Sequence, residues 1–246
     1  MKNTYLIAVA LFLITNSVTA QSDSEVKPKE LKWKSTYELI FSWGDVDDEK
    51  SSVDGSKVDG DAVVRFSAFY NGGTQAHYNF TRHFGFYTGL GIRNIGFIND
   101  FGDSVTVKQR EYSLGLPLAL KLGNLEKNFF IAGGAEVEMF FAYKQKVFYN
   151  NQKDKYHEWF SGNEELFNFS LFGEINTPGG GFIRFRYYLN DFLLQNNKGI
   201  DLPNNGGKLA YDSSPSSLMY ISIGTAQYLS KYYKKKEKKT NPLDNL

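Results

Sequence analysis

The chain has 246 residues, no cysteine, and 28 basic against 27 acidic residues. This excludes a disulfide framework, a thiolate zinc site and a thiol nucleophile, and leaves no global field to recruit nucleic acid. Aromatics make up 16% of the chain while mean hydropathy is -0.40, and after the N-terminal segment no apolar run reaches the roughly 20 residues of a transmembrane helix.

Lys2, the apolar run Tyr5 to Ile14 and Val18-Thr19-Ala20 before Gln21 predict a signal peptide over residues 1–20. No Cys follows it, which excludes a lipoprotein anchor. Without Lys2 the processed chain would hold 27 basic and 27 acidic residues. Residues 21–32 are expected to be a polar periplasmic lead-in, 33–228 an outer-membrane barrel, and 229–246 a basic periplasmic tail.

Strand one is predicted over Trp33 to Trp43, with Tyr37, Leu39, Phe41 and Trp43 on one face. Gly44 to Asp61 is dense in Asp, Ser, Lys and Gly and predicts a long loop. Strand two follows to Phe80, where Asn71-Gly72-Gly73 predicts a bulge or register change. A tight turn over Thr81 to His83 leads into strand three, Phe84 to Phe97, and Asn99 to Ser104 is a loop.

Strand four, Tyr112 to Leu122, alternates most cleanly, with Tyr112, Leu114, Leu116, Leu118, Leu120 and Leu122 against Ser113, Gly115, Pro117, Ala119 and Lys121. Pro117 cannot donate to a ladder, so a bulge or bend is expected beside it. Strand five spans Phe129 to Tyr149, with Glu136, Glu138, Phe140, Ala142 and Lys144 sharing a face. Asn150 to Glu165 is a polar loop, strand six follows over Phe167 to Ile175, and Asn176 to Gly180 is a turn. Strand seven covers Ile183 to Leu189, the longest loop runs from Leu193 to Pro215, and strand eight spans Ser217 to Tyr228.

Eight strands result, with loops one, three and four longer than a dozen residues and short turns at the opposite end. That asymmetry, with period-2 alternation, predicts an all-β fold: an eight-stranded antiparallel up-and-down transmembrane β-barrel with both termini periplasmic. The polar face is rich in Gly and Ala and carries charges of both signs, which suits a narrow lumen better than a solvated surface. Arg65, Arg93, Glu136, Glu138, Lys144, Glu174, Arg184 and Arg186 are therefore the expected members of a lumenal ion-pair network. A soluble lipocalin-like carrier, with the apolar face turned inward around a ligand, is the competing arrangement.

The run Arg110-Glu111-Tyr112-Ser113-Leu114-Gly115-Leu116-Pro117-Leu118-Ala119-Leu120-Lys121 resembles the Tyr-x-x-(Ile/Leu)-Pro-Leu-x-Leu-Lys strand of the PorT-like outer-membrane β-barrel family of Bacteroidetes. Phe86-Tyr87-Thr88-Gly89-Leu90-Gly91 and Phe130-Ile131-Ala132-Gly133-Gly134 are similar to the strands on either side of it. The resemblance implies a small membrane barrel and, for some members, a link to protein secretion. It brings no catalytic motif, and eighteen residues follow Tyr228, where such barrels commonly end on an aromatic.

The expected function is non-enzymatic: an envelope scaffold, adhesion platform or secretion accessory, without cofactor or metal. A lipid-modifying enzyme is the alternative, and its best candidate cluster is His157 with Glu158 and Ser161. Asp45, Asp47, Asp48, Asp54 and Asp59 lack the ordered register of a calcium loop and are expected to be a solvated acidic loop. Lys231, Lys234, Lys235, Lys236, Lys238 and Lys239 form a basic tail expected to contact anionic headgroups or a periplasmic protein partner, with outer-membrane lipid around the barrel.

Overall fold

The computed structural model describes residues 29–44, 52–53, 56–57, 60–101, 105–162, 164–192, 200–203, 207–210 and 218–229. Residues 1–20, expected to be a signal peptide, the loop-one residues Asp45, Asp47, Asp48, Asp54 and Asp59, and the lysines of the expected basic tail lie outside the described residues. In chain order the strands are β1 (Leu31–Gly44), β2 (Ser52–Val53), β3 (Ser56–Lys57), β4 (Gly60–Val63), β5 (Arg65–Ser67), β6 (Gly72–Asn79), β7 (Phe84–Phe101) and β8 (Val105–Asn124). They continue as β9 (Phe129–Tyr149), β10 (Gln152–Trp159), β11 (Phe167–Asn176), β12 (Gly181–Tyr188), β13 (Ile200–Asp201), β14 (Lys208–Ala210) and β15 (Leu218–Tyr228).

Antiparallel pairing runs β1–β6–β7–β8–β9–β11–β12–β15 and returns to β1, closing an eight-stave up-and-down barrel. The seam between first and last staves runs from Lys34 opposite Tyr228 to Gly44 opposite Leu218. Short turns close one end at residues 80–83, 125–128 and 177–180. In the middle of these, Asn128 takes a left-handed backbone (φ 54°), a conformation Asn tolerates.

The alternation decides which face meets which solvent. Leu116, Leu118 and Leu120 of β8 are 50%, 60% and 56% exposed on the outside, whereas Ala119 and Lys121 between them are buried within. Phe167, Phe169, Leu171 and Ile175 of β11 and Ile183 and Phe185 of β12 extend the same outer belt. On β8 the belt runs from Leu114 to Leu122, roughly 27 Å along the strand and about 20 Å in height at the tilt of a small barrel. That is close to the roughly 25 Å apolar band of membrane barrels. The lipocalin-like arrangement is thereby overturned, because the apolar face points out.

Several elements differ from the sequence expectation. Strand three runs on through Phe101 and strand four begins at Val105, so the first half of the loop expected at Asn99 to Ser104, Asn99 to Phe101, is strand. The polar loop at Asn150 to Glu165 contains β10, which folds back on β9 from Gln152 opposite Tyr149 to Trp159 opposite Ala142. These strands therefore project well beyond the apolar belt at the long-loop end. No register shift occurs at Pro117: its pairing with Glu136 of β9 holds, while the β7 ladder lapses between Thr88–Leu118 and Gly91–Gly115 without changing register. The true irregularity lies at Tyr112/Ser113, where Phe141 is the extra residue on β9.

The second stave is broken as the Asn-Gly-Gly signal suggested, into β4, β5 and β6, with Tyr70 at φ 63° in the break. The break leaves the middle of β7 without a backbone partner on that side, and side chains fill the gap. Asn71 Oδ1 accepts from the Asn94 amide at 2.8 Å, and Arg65 donates to the Asn94 carbonyl at 3.1 Å and to its side-chain oxygen at 2.5 Å. Buried backbone groups need such partners, and this need is what consumes Arg65.

Candidate functional site

The barrel interior is stacked in three tiers. Nearest the short turns, Lys34 Nζ donates to Asn128 Oδ1 at 2.6 Å, and Lys121 Nζ donates to Asn79 Oδ1 at 2.7 Å. His77 stacks on Tyr87 with ring centroids 4.9 Å apart. Phe130, Leu125 and Phe172 line the same tier.

The middle tier is a cluster of buried ions. Arg93 of β7 donates to Glu38 of β1 at 2.8 Å, to Glu138 of β9 at 3.3 Å and, more closely, to Glu136. Arg186 of β12 donates to Glu136 at 2.5 Å, to Glu138 at 2.7 Å and to Ser170 Oγ at 2.9 Å. Arg184 reaches Glu174 of β11 through its Nε at 2.8 Å and Glu38 through Nη1 at 3.2 Å. Hydroxyls complete the shell: Ser222 donates to Glu38 at 2.6 Å, Ser113 to Glu138 at 2.7 Å, and Tyr188 to Glu138 at 3.0 Å. Carboxylates taken from water stay ionised only when donors replace the lost hydration, and here nearly every oxygen has one. Gly115 makes room for this cluster: a Cβ there would collide with the Glu136 carboxylate and the Arg93 guanidinium.

Of the eight charges expected in the lumen, the structure brings together Arg93, Glu136, Glu138, Glu174, Arg184 and Arg186. Arg65 lies apart, spent on the wall gap. Lys144 lies on the outer face, its ammonium 4.9 Å over the Tyr112 ring, because the extra residue at Phe141 reverses the inside–outside sense of everything above it on β9. Glu38 is the member that sequence reasoning missed. Its signal was present, since Tyr37, Leu39 and Phe41 facing outward leave Glu38 facing inward.

The third tier, at the long-loop end, is apolar. Ile95, Phe97, Phe101, Val105, Val107, Phe140 and Val147 of the wall pack against Phe192, Ile200, Leu202 and Leu209 from the segment between β12 and β15. Phe192 sits 5.3 Å from Phe97 and 5.6 Å from Phe140, ring to ring. Strands β13, β14, β2 and β3 pair into a small sheet across this segment. Ion cluster and apolar plug therefore close the lumen in series.

His157 does not assemble with Glu158. They occupy opposite faces of β10, where Glu158 accepts from the Tyr156 hydroxyl at 2.6 Å and His157 lies 5.7 Å from the Trp159 ring. Among the described residues no group of His, Asp or Glu has the arrangement of a metal site.

A carboxyl pair sits beyond the belt, at the strand irregularity. Glu111 Oε1 accepts from the Ala142 amide at 2.5 Å, while Oε2 of Glu111 and Oε2 of Glu164 are buried without a donor. Burial, and then the neighbouring carboxyl of Glu164, holds Glu111 well above the usual carboxylate range; burial does the same for Glu164. A proton held on one carboxyl would supply the donor that these oxygens lack. The folded chain thus binds protons more tightly than the unfolded one, so this contact stabilises on the acid side. It weakens as pH climbs from the unfolded carboxyl value near ~4.3 through the raised folded values. Amide exchange over residues 160–166, corrected for its intrinsic pH dependence, should be faster at pH 8 than at pH 5, and Glu164→Gln should flatten the difference.

Neither a protein-family model nor a curated protein matches the chain. Several solved structures resemble it. One is Ail, the attachment invasion locus protein of Yersinia pestis, in complex with the heparin analogue sucrose octasulfate. It shares 13% identity over 81% of this chain and 98% of its own, with a TM-score of 0.34. The outer membrane protein OprG from Pseudomonas aeruginosa shares 14% over 81% and 97%, with a TM-score of 0.40. CarO2 of Acinetobacter baumannii shares 8% over 81% and 99%, with a TM-score of 0.39. At these scores the reading of the site rests on its own geometry.

Proposed function

We propose that the chain is a non-enzymatic outer-membrane barrel that works through its external surface, as an envelope scaffold, adhesion platform or secretion accessory. The last of these is the role that the PorT-like resemblance of Tyr112 to Lys121 implies. In this reading residues 1–20 are removed on export, the short turns and both termini face the periplasm, and the basic tail meets inner-leaflet headgroups or a periplasmic partner. The observation that carries the reading is an outward apolar belt around a lumen closed by ions and then by aromatic rings.

Side chains of the described residues fill the lumen, so conductance of the purified barrel in planar bilayers should be negligible. Stable channels would overturn the closed-lumen reading. Recovery of the processed chain as a detergent-free soluble monomer would overturn the membrane reading itself.

A further inference from the structure

Beyond the belt, β8, β9 and β10 form a three-stranded sheet whose outward face is basic. Cross-strand pairing sets Lys108 opposite Lys146 and Lys146 opposite Lys155; the next row sets Arg110 opposite Lys144 and Lys144 opposite His157. One row further out, Phe148 lies opposite Lys153, and the ammonium groups of Lys108 and Lys153 sit 5.2 Å and 5.5 Å from its ring. Asp154 and Glu158 alternate onto the opposite face of β10. Among the described residues, no carboxylate forms an ion pair with Lys108, Arg110, Lys144, Lys146, Lys153 or Lys155.

Like charges placed directly opposite destabilise a sheet unless something neutralises them. At the centre of the ladder, partial desolvation and then the charges of Arg110, Lys153, Lys155 and Lys108 hold the Lys146 ammonium below its usual range.

Position says what would neutralise it. The row below the Arg110–Lys144 pair is aromatic: Tyr112 packs on Phe141 at 6.5 Å, and Phe141 stacks on Trp159 at 6.0 Å. This row borders Leu114, the first residue of the belt. Two residues further along a tilted strand raise a side chain by about 5 Å, which puts Arg110 and Lys144 within the headgroup layer. The Lys108–Lys146–Lys155 row lies about 5 Å higher again.

We propose that this basic face binds the phosphate groups of phosphorylated lipids in the leaflet surrounding the long-loop end of the barrel. Three lysines in a row present ammonium donors to clustered phosphate oxygens, while the aromatic row below fixes the height at which they meet. The inference rests on the barrel spanning a membrane, so the test reads the two separately.

The purified barrel is reconstituted in phosphatidylcholine bilayers containing either bis-phosphorylated or dephosphorylated lipid A. Flotation with the vesicles reports insertion, and lipid retained on the protein after transfer to nanodiscs reports binding. The expected result is insertion in both mixtures, with the phosphorylated lipid retained about fivefold or more over the dephosphorylated one and the preference fading as salt rises. The triple variant Lys108→Ser/Lys146→Ser/Lys155→Ser should float like the parent and lose the preference.

Equal retention of the two lipids by a floating barrel would overturn the inference and leave the barrel reading intact. A preference insensitive to salt would also overturn it, and neither comparison needs the variant to fold. Tight binding of a soluble sulfated sugar with no response to lipid phosphate would assign the face to an external polyanion instead. Failure of the parent chain to float would overturn both readings.

Discussion

Arg186→Ala is expected to cut the unfolding free energy of the barrel by about 3–5 kcal/mol, the cost of leaving two buried carboxylates with one arginine, Arg93, in place of two. Arg186 is fully buried, bonds Glu136 and Glu138, and lies 4.9 Å over the Phe172 ring and 5.5 Å from that of Tyr220. Truncation leaves two carboxylates sharing Arg93 as their remaining cation where water does not reach them. Removing one carboxylate together with the arginine should recover part of the loss, so Arg186→Met/Glu136→Gln is expected to regain about 1–3 kcal/mol over Arg186→Ala. Urea unfolding of the lipid-reconstituted barrel with linear extrapolation measures both. A loss below about 1 kcal/mol with no recovery would show that the cluster is hydrated and that its geometry does not seal the lumen.

Phe192→Ala should cost about 3–5 kcal/mol by the same measurement, through the cavity it opens. Its ring is buried between Phe97 and Phe140 and shares one apolar cluster with Ile200, Leu202 and Leu209. Conductance should nevertheless stay negligible, since the ion cluster below is untouched. If Phe192→Ala alone opened stable channels, the apolar plug would be the sole seal.

The barrel itself was legible in the sequence because its signal is local. Side chains that alternate over Leu114 to Leu122, Phe167 to Ile175 and Ile183 to Phe185 need only one register to hide the polar set and expose the apolar one. Most of the ion cluster was legible for the same reason. Lys144 was misplaced because a single extra residue at Phe141 reverses the parity, and nothing in the local run Phe140-Phe141-Ala142-Tyr143 announces that Phe141 is the one expelled. Arg65 was misplaced because its partner, the unpaired backbone of Asn94, exists only once the second stave breaks. The apolar plug escaped altogether. Phe192, Ile200, Leu202 and Leu209 lie scattered in a polar stretch, and their common destination is a long-range contact that no periodicity records.

Glu38 gives the seam a thermodynamic meaning. It stands on the first stave, yet its donors come from Arg93 on the third, Arg184 on the seventh and Ser222 on the last. A sheet still open between β1 and β15 would carry those guanidinium and carboxylate groups into hydrocarbon without their partners, which lipid penalises heavily. Zipping the cylinder shut and crossing the bilayer are therefore expected to be coupled in this chain, with a half-inserted ribbon disfavoured along the way.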